Sequence, residues 1–269
     1  MRMTVEGAGV ELSVDANASG RPLLLVHDLA ADARDWDALV AALGDRAGLR
    51  TLAYDRRGYG ASGAPEPYER TTVQEQAEDA RAMLAGAIGD AEPSGATGGP
   101  GGAAGAASGS AADPGSAGAA PLAVGTGFGA LIVLDLLVRL PGLLSGAVLV
   151  APPLHQFSAS ATAVLSEQRA LLEVALREGG PAAAVEAWRP DADDAVRAAH
   201  RAFFADFGGL ASWPVTRGEL RAIAVPVAVL TDSATPAHLV ESADALAALL
   251  PHARRTLDGD TLAAVRALS

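Results

Sequence analysis

Residues 121–131, PLAVGTGFGAL, have the layout of a turn that carries a catalytic nucleophile. An apolar, strand-like run at 122–124 leads into Gly-Thr-Gly-Phe-Gly, and an apolar helical pattern continues to residue 140. In a G-x-S-x-G turn between a strand and a helix, the central side chain is exposed and attacks the substrate. The central position here is Gly127, which has no side chain. The spacing therefore indicates either a catalytic scaffold without its nucleophile or an accidental glycine-rich turn in another fold.

Three other side chains that could transfer protons follow predicted strands: Asp28, His155 and Asp232. Ligands of open α/β sheets bind beyond the carboxyl ends of the strands, so each is a candidate acid–base residue. Each also has a plain structural interpretation. Asp28 would be a solvated loop residue, His155 a hydrogen-bonded hinge residue and Asp232 the cap of a turn.

Strands that alternate with helices must position these residues. The run PLLLV at 22–26 is continuously apolar, which is typical of a strand covered on both faces. The alternation predicts a mostly parallel, doubly wound sheet. The predicted strands span 3–5, 10–14, 22–26, 50–54, 122–124, 146–150, 225–230 and 254–257, and the predicted helices span 35–43, 73–88, 128–140 and 238–250, with a short helix at the end.

Four segments, in chain order, resemble the α/β-hydrolase fold. LLLVHDLAADARDW is similar to its strand and following His-Gly turn, and YDRRGYGASG resembles its D-x-R-G-x-G-x-S segment. VGTGFGALIVLDLLVRLPGLLSGAVLVAPP resembles the nucleophile turn, its helix and the next strand, and RAIAVPVAVLTDSATP is similar to the strand before the catalytic acid. The resemblance implies a mostly parallel central sheet with helices on both faces and a helical lid inserted after the sixth strand. It also implies that His27 is a structural histidine that hydrogen-bonds its loop.

The same resemblance divides the chain into three parts. Residues 1–152 form the first part of the core sheet, 153–213 the helical lid and 214–269 the rest of the core. Residues 91–120 contain almost only Gly, Ala, Ser and Pro. Such a segment cannot bury enough apolar surface to offset its ordering entropy, so we predict a disordered insertion there.

The catalytic positions of the family fall on residues that cannot perform its chemistry. The nucleophile corresponds to Gly127, and the acid corresponds to Thr235, with Asp232 the nearest carboxylate but two or three residues early. The base corresponds to Thr261 or Leu262, and none of the five histidines lies in that loop. The resemblance therefore implies a degenerate triad, because all three groups of the proton relay are absent.

The backbone part of the family's site is expected to survive. In relatives, two N–H groups form the oxyanion hole, and they correspond here to Leu29 and Phe128. Glycine at 127 relieves the strain of the turn, which indicates a retained pocket rather than retained chemistry. Asp28 stands where the family has glycine, and its carboxylate would oppose a developing oxyanion. The residues expected to contact a ligand are Leu29, Phe128, His27, Gly127 and His155.

Composition excludes several classes of function. The net charge of −12 argues against binding nucleic acid or an anionic membrane, and the absence of cysteine excludes disulfides and thiol nucleophiles. No spacing predicts a metal site, no cofactor is implied, and no signal segment or membrane helix is recognisable, so we expect a cytoplasmic protein. All 20 basic residues are arginine, which with the heavy Ala and Gly usage is typical of a GC-rich, bacterial genome. The oligomeric state stays open.

We therefore expect a pseudoenzyme that binds a small apolar or carbonyl-containing molecule between the sheet edge and the lid, without Ser-His-Asp hydrolysis. The alternative is a hydrolase, lyase or cyclase acting on a small carbonyl or ester compound. That enzyme would use His155, Asp28 or Asp232 as the acid–base residue. A relative without a specific ligand is the third alternative.

Overall fold

The computed structural model describes residues 1–17, 19–44, 48–89, 120–210 and 212–269. Its centre is an eight-stranded sheet with the order β1-β2-β4-β3-β5-β6-β7-β8. The first two strands pair antiparallel, β2 is antiparallel to β4, and the remaining neighbours are parallel. The strands are β1 Arg2–Glu6, β2 Glu11–Ala16, β3 Arg21–Val26, β4 Leu49–Tyr54, β5 Leu122–Thr126, β6 Gly146–Val150, β7 Val227–Thr231 and β8 Ala253–Leu257.

Helices cover both faces of this sheet. Alternate residues of β3 point to opposite faces: Leu24 packs in the cluster that holds α2, α3 and α8, and Leu25 packs in the cluster that holds α1 and α9. The helices of the core are α1 Asp37–Leu43, α2 Val73–Gly89, α3 Phe128–Arg139, α7 Arg217–Arg221, α8 Ala237–Leu249 and α9 Thr261–Leu268. The predicted α/β-hydrolase architecture is thereby confirmed.

The parallel register brings the loops of the predicted site to one edge of the sheet. Val26 at the end of β3 pairs with Gly125 of β5, and Thr126 at the end of β5 pairs with Val150 of β6. The loops that follow these three strands therefore lie side by side. They carry Asp28, Gly127 and His155, and the topology explains why Asp28 and Gly127, which are distant in sequence, meet.

Three helices between β6 and β7 form the lid: α4 Ala161–Trp188, which is interrupted at Gly180, α5 Asp194–Ala198 and α6 His200–Gly209. An aromatic cluster holds them together, with the ring of Trp188 5.7 Å from that of Phe203 and 5.6 Å from that of Phe207. A buried ion pair joins the lid to the core, since Arg56 Nη1 lies 2.7 Å from Asp206 Oδ2. The rings of Phe203 and Phe207 therefore belong to the packed interior of these helices.

The start of the first predicted helix needs adjustment. The helix predicted to begin at residue 35 begins at Asp37, because Ala33–Trp36 form a 3-10 turn capped by Asp32, which accepts from the N–H of Arg34. The predicted insertion at 91–120 lies outside the described residues, apart from Ala120. Within the described ranges, no helix has both the length and the apolar character that crossing a bilayer requires.

Candidate functional site

The turn between β5 and α3 has the backbone geometry of a nucleophile turn. Gly127 adopts φ 49° and ψ −119°, a region that glycine enters without the penalty of a Cβ atom. Its N–H donates to the carbonyl of Val150 at 2.9 Å. Gly129 is equally constrained, because a Cβ there would lie 2.2 Å from the carbonyl oxygen of Val26. The glycines therefore allow α3 to start close against the strand ends, and the turn is no accidental loop.

The carboxylate of Asp28 fills the space where a nucleophile and an oxyanion would meet. Its Oδ1 accepts two backbone hydrogen bonds, from the N–H groups of Leu29 and Phe128, each at 2.7 Å. These are the two N–H groups expected to form the oxyanion hole. A Cβ atom added at Gly127 would lie 2.0 Å from Cγ and both oxygens of Asp28. The N–H groups of Leu29 and Phe128, both expected to contact a ligand, thus donate to Asp28 in this structure.

Opposing effects act on this carboxylate. Removal from water raises the pKa of Asp28 above its ordinary value, and this effect outweighs the others. The N–H groups of Phe128 and Leu29, followed by the positive charges of Arg56 and Arg189, favour the ionised form. Asp28 is half-buried rather than enclosed, so it is a loop residue facing a cavity and not the solvated residue of the plain interpretation.

His27 fixes the loop that carries Asp28. Its Nε2 accepts from the N–H of Arg56 at 3.0 Å, so its Nδ1 is the donor to the carbonyl of Asp28 at 2.8 Å. The ring is fully buried, and burial together with the charge of Arg56 holds the pKa of His27 well below its ordinary value. Both nitrogens of the neutral ring are used. The ligand contact expected of His27 is therefore replaced by the structural role.

Arg56 connects the loop, the nucleophile turn and the lid. Its Nη2 donates to the carbonyl of Asp28 at 3.0 Å, its guanidinium lies 5.0 Å from the ring of Phe128, and its Nη1 pairs with Asp206 of α6. Tyr59 also donates to Asp206, at 2.9 Å. All of these charges are buried and paired, which satisfies the condition for keeping ions inside a protein. The result is a rigid support beneath Asp28.

A cavity of about 390 Å³ opens above this carboxylate. Its walls come from the loop after β3, the end of β5 and the C-terminal end of lid helix α4. Two tryptophans that are far apart in the sequence line this cavity. The lining residues are Asp28, Leu29, Ala31, Asp35, Trp36, Thr126, Trp188 and Arg189.

Of the eight lining residues, the sequence indicates only Asp28 and Leu29 as site residues. Trp36 and Asp35 lie in and around the turn before α1, where the pattern indicated only a helix start. Trp188 and Arg189 end the long lid helix, and no local motif marks them. The one local signal for Arg189 is its positive charge beside the end of a helix. That signal does not place it at the cavity, because its partner Asp35 is distant in sequence.

His155 lies apart from Asp28 in a different environment. It is buried at the end of β6, its ring stacks on His238 at 6.3 Å, and its Nε2 has no hydrogen-bond partner among the described residues. Burial, followed by His238, lowers the pKa of His155 to about 4. The cavity lining does not include His155, so the structure does not bring this candidate base or ligand contact together with Asp28.

The residues expected to correspond to the acid and the base lie in a turn and in a helix. Asp232 is exposed, and its Oδ1 accepts from the N–H of Ala234 at 3.0 Å and from the hydroxyl of Thr235 at 2.8 Å. Leu262 lies in the first turn of α9. Asp232 is therefore a turn cap rather than an acid–base residue of the cavity. Over the part of the chain that the structure describes, no cluster of His, Asp and Glu could hold a metal ion.

Comparisons with known proteins identify the family and the fold. A family model described as the alpha/beta hydrolase family matches residues 23–266. Similar solved structures include an alpha/beta hydrolase from Sphaerobacter thermophilus (19% identity, TM-score 0.63, covering 99% of this chain and 98% of that one). An esterase from Exiguobacterium antarcticum (15%, TM-score 0.70, 96% and 91%) and an esterase from a Rhodococcus species (22%, TM-score 0.63, 99% and 97%) are also similar. At these identities the likeness concerns the fold.

Proposed function

Since the chain belongs to the alpha/beta hydrolase family, we propose that it binds a small molecule at the family's site without Ser-His-Asp hydrolysis. One observation carries this proposal: the Asp28 carboxylate accepts both N–H groups of the oxyanion hole and occupies the space of a side chain at position 127. In this proposal the triad is degenerate, with Gly127, Thr235 and Leu262 at its three positions.

Electrostatics argues against acyl transfer at this site. An oxyanion that forms on a carbonyl carbon needs donors preorganised around it, and the loss of one such donor typically costs about 10²–10³ in kcat. Here both donors already serve a carboxylate. A second negative charge beside Asp28 would be repelled, and Gly127 offers no atom that could attack. Nucleophilic attack on a carbonyl carbon and stabilisation of the resulting oxyanion are therefore both disfavoured.

The cavity supports binding. Its volume of about 390 Å³ falls within the roughly 300–1,000 Å³ that is usual for small-molecule sites. The lid is fastened over it, because Arg189 pairs with Asp35 at 2.8 Å and Arg34 pairs with Asp193 at 2.6 Å. A pocket that combines two tryptophans with fixed charged side chains is suited to recognition.

Labelling with a fluorophosphonate probe, together with hydrolysis of short p-nitrophenyl esters, tests this proposal. We expect no stoichiometric labelling of the wild-type protein and no enzymatic hydrolysis, because no activated hydroxyl faces the cavity. Thr126 supplies the hydroxyl of the described lining, so Thr126→Val is the matched control. Stoichiometric labelling that disappears in Thr126→Val would contradict the proposal.

An acid–base enzyme is the second candidate, and the half-buried Asp28 with its raised pKa is the observation that favours it. Such an enzyme would transfer protons through the Asp28 carboxylate rather than form an acyl intermediate. A turnover screen on small esters and lactones, with Asp28→Asn, His155→Ala and Asp232→Asn compared, decides the matter. Turnover that only Asp28→Asn abolishes would establish this candidate, and turnover unchanged in all three variants would exclude it.

A further inference from the structure

The charges that line the cavity do not balance. Arg189 is matched by Asp35, since its Nη1 and Nη2 donate to the two oxygens of that carboxylate at 2.8 and 3.2 Å. Two further donors of Arg189 serve the carbonyl of Ala30 at 3.0 Å and the carboxylate of Asp191 at 3.2 Å, so four of its five N–H groups have an acceptor. Its guanidinium is thus engaged by the protein. The charge that stays without a cationic side chain in the lining is that of Asp28.

One oxygen of Asp28 keeps its capacity to accept hydrogen bonds. Oδ1 accepts from Leu29 and Phe128, whereas no described residue donates to Oδ2. An ionised carboxylate has about four acceptor positions, so most of the capacity of Oδ2 is unused. Arg56, the nearest buried cation, is paired with Asp206 and donates to the backbone of Asp28 rather than to its carboxylate.

Two tryptophans line the same cavity as the Asp28 carboxylate. Trp36 and Trp188 both line the cavity, together with the apolar Leu29 and Ala31. Contacts of Trp188 with the rings of the lid core hold it in place. An indole face attracts a cation within about 6 Å of its centre, and tryptophan is the most effective aromatic residue for this purpose.

We propose that the cavity binds an organic cation, with an ammonium group at Oδ2 of Asp28 and an apolar or aromatic body between Trp36 and Trp188. This proposal deepens the proposed function and rests on it, because it requires a site that binds rather than hydrolyses. It also narrows the expected ligand: the apolar body remains, but a carbonyl group has no free donor in the hole. An anion would meet an unpaired carboxylate, and a neutral molecule would leave that charge uncompensated.

Isothermal titration calorimetry with three matched probes tests the proposal: 2-phenylethylammonium, 2-phenylethanol and 3-phenylpropionate. We expect the ammonium probe to bind the wild-type protein at least about tenfold more tightly than the other two. Asp28→Asn keeps an oxygen for the N–H groups of Leu29 and Phe128 but removes the charge. It is expected to weaken ammonium binding at least about tenfold and to change the binding of the alcohol less than about twofold.

Asp194→Asn is the control, because it makes the same chemical change on a carboxylate that is 99% exposed outside the cavity. We expect it to leave all three affinities unchanged. If Asp28→Asn does not fold, the wild-type protein still provides a test. Raising NaCl from about 20 mM to about 300 mM should weaken ammonium binding and spare the alcohol.

Four results would overturn the proposal. Three concern the wild-type protein: it binds 2-phenylethanol as tightly as 2-phenylethylammonium or more tightly, it binds 3-phenylpropionate more tightly than 2-phenylethylammonium, or it binds none of the probes. The fourth result is unchanged affinity for 2-phenylethylammonium in a folded Asp28→Asn variant. The proposed function fails separately, through fluorophosphonate labelling or ester turnover in the wild-type protein. Selective ammonium binding in a protein that also labels would uphold the ligand class and reject the non-hydrolytic function.

Discussion

Glycine at position 127 and aspartate at position 28 depend on each other. The backbone at Gly127 lies in a region that costs a non-glycine residue about 1–3 kcal/mol. A Cβ atom there would also overlap the Asp28 carboxylate at 2.0 Å. Restoring a serine at 127 therefore requires the carboxylate to leave the oxyanion hole, so one substitution cannot recover the family's catalytic geometry.

The burial of His155 should make the stability of the protein depend on pH. The unfolded chain protonates this imidazole near pH 6.5, but the folded chain does so only near pH 4. The unfolded state thus binds more protons, and stability falls as the pH is lowered through this interval. We expect His155→Gln to lose less stability than the wild-type protein between pH 7 and pH 4, by about 3 kcal/mol.

Urea unfolding at both pH values provides the measurement for His155. His252→Gln is the matched control, since it removes an exposed imidazole in the same way. Its pH dependence should follow that of the wild-type protein. Parallel pH profiles for the wild-type protein and His155→Gln would show that His155 is not held in its neutral form.

Among the elements, the strands and their order along the chain were predictable, because apolar runs and glycine turns are local signals. The glycine turn between β5 and α3 could also be placed from the sequence. The direction of the Asp28 side chain could not, since a loop carboxylate turns inward or outward according to distant partners. The lid contribution of Trp188 and Arg189 likewise depends on tertiary packing.

The ion pair that attaches the lid to the core is expected to contribute to the stability of the protein. Asp206 of α6 is fully buried and pairs with Arg56. Removal of one partner from a buried pair leaves an uncompensated charge, and Asp206→Ala is expected to cost about 3–5 kcal/mol of unfolding free energy. Glu173→Ala removes a solvent-exposed pair with Arg169 and should leave the stability nearly unchanged. Similar urea midpoints for the two variants would contradict this account of the lid.

At the scale of the whole molecule, the fold does not determine the function. The family match over residues 23–266 covers the parallel part of the sheet and its helices. The same scaffold supports many chemistries, so function must be argued from the site. The net charge of −12 favours the approach of cations over anions, in agreement with an unpaired carboxylate in the cavity.

The most direct test of the account is an NMR titration of the backbone amide protons of Leu29 and Phe128. One carboxylate oxygen accepts from both groups, so both amide resonances should shift with pH at one common midpoint. That midpoint should lie above the ordinary range for aspartate, because burial raises the pKa of Asp28. Asp28→Asn should abolish both shifts. Amide signals that do not titrate, or that titrate independently, would show that Asp28 does not fill the oxyanion hole.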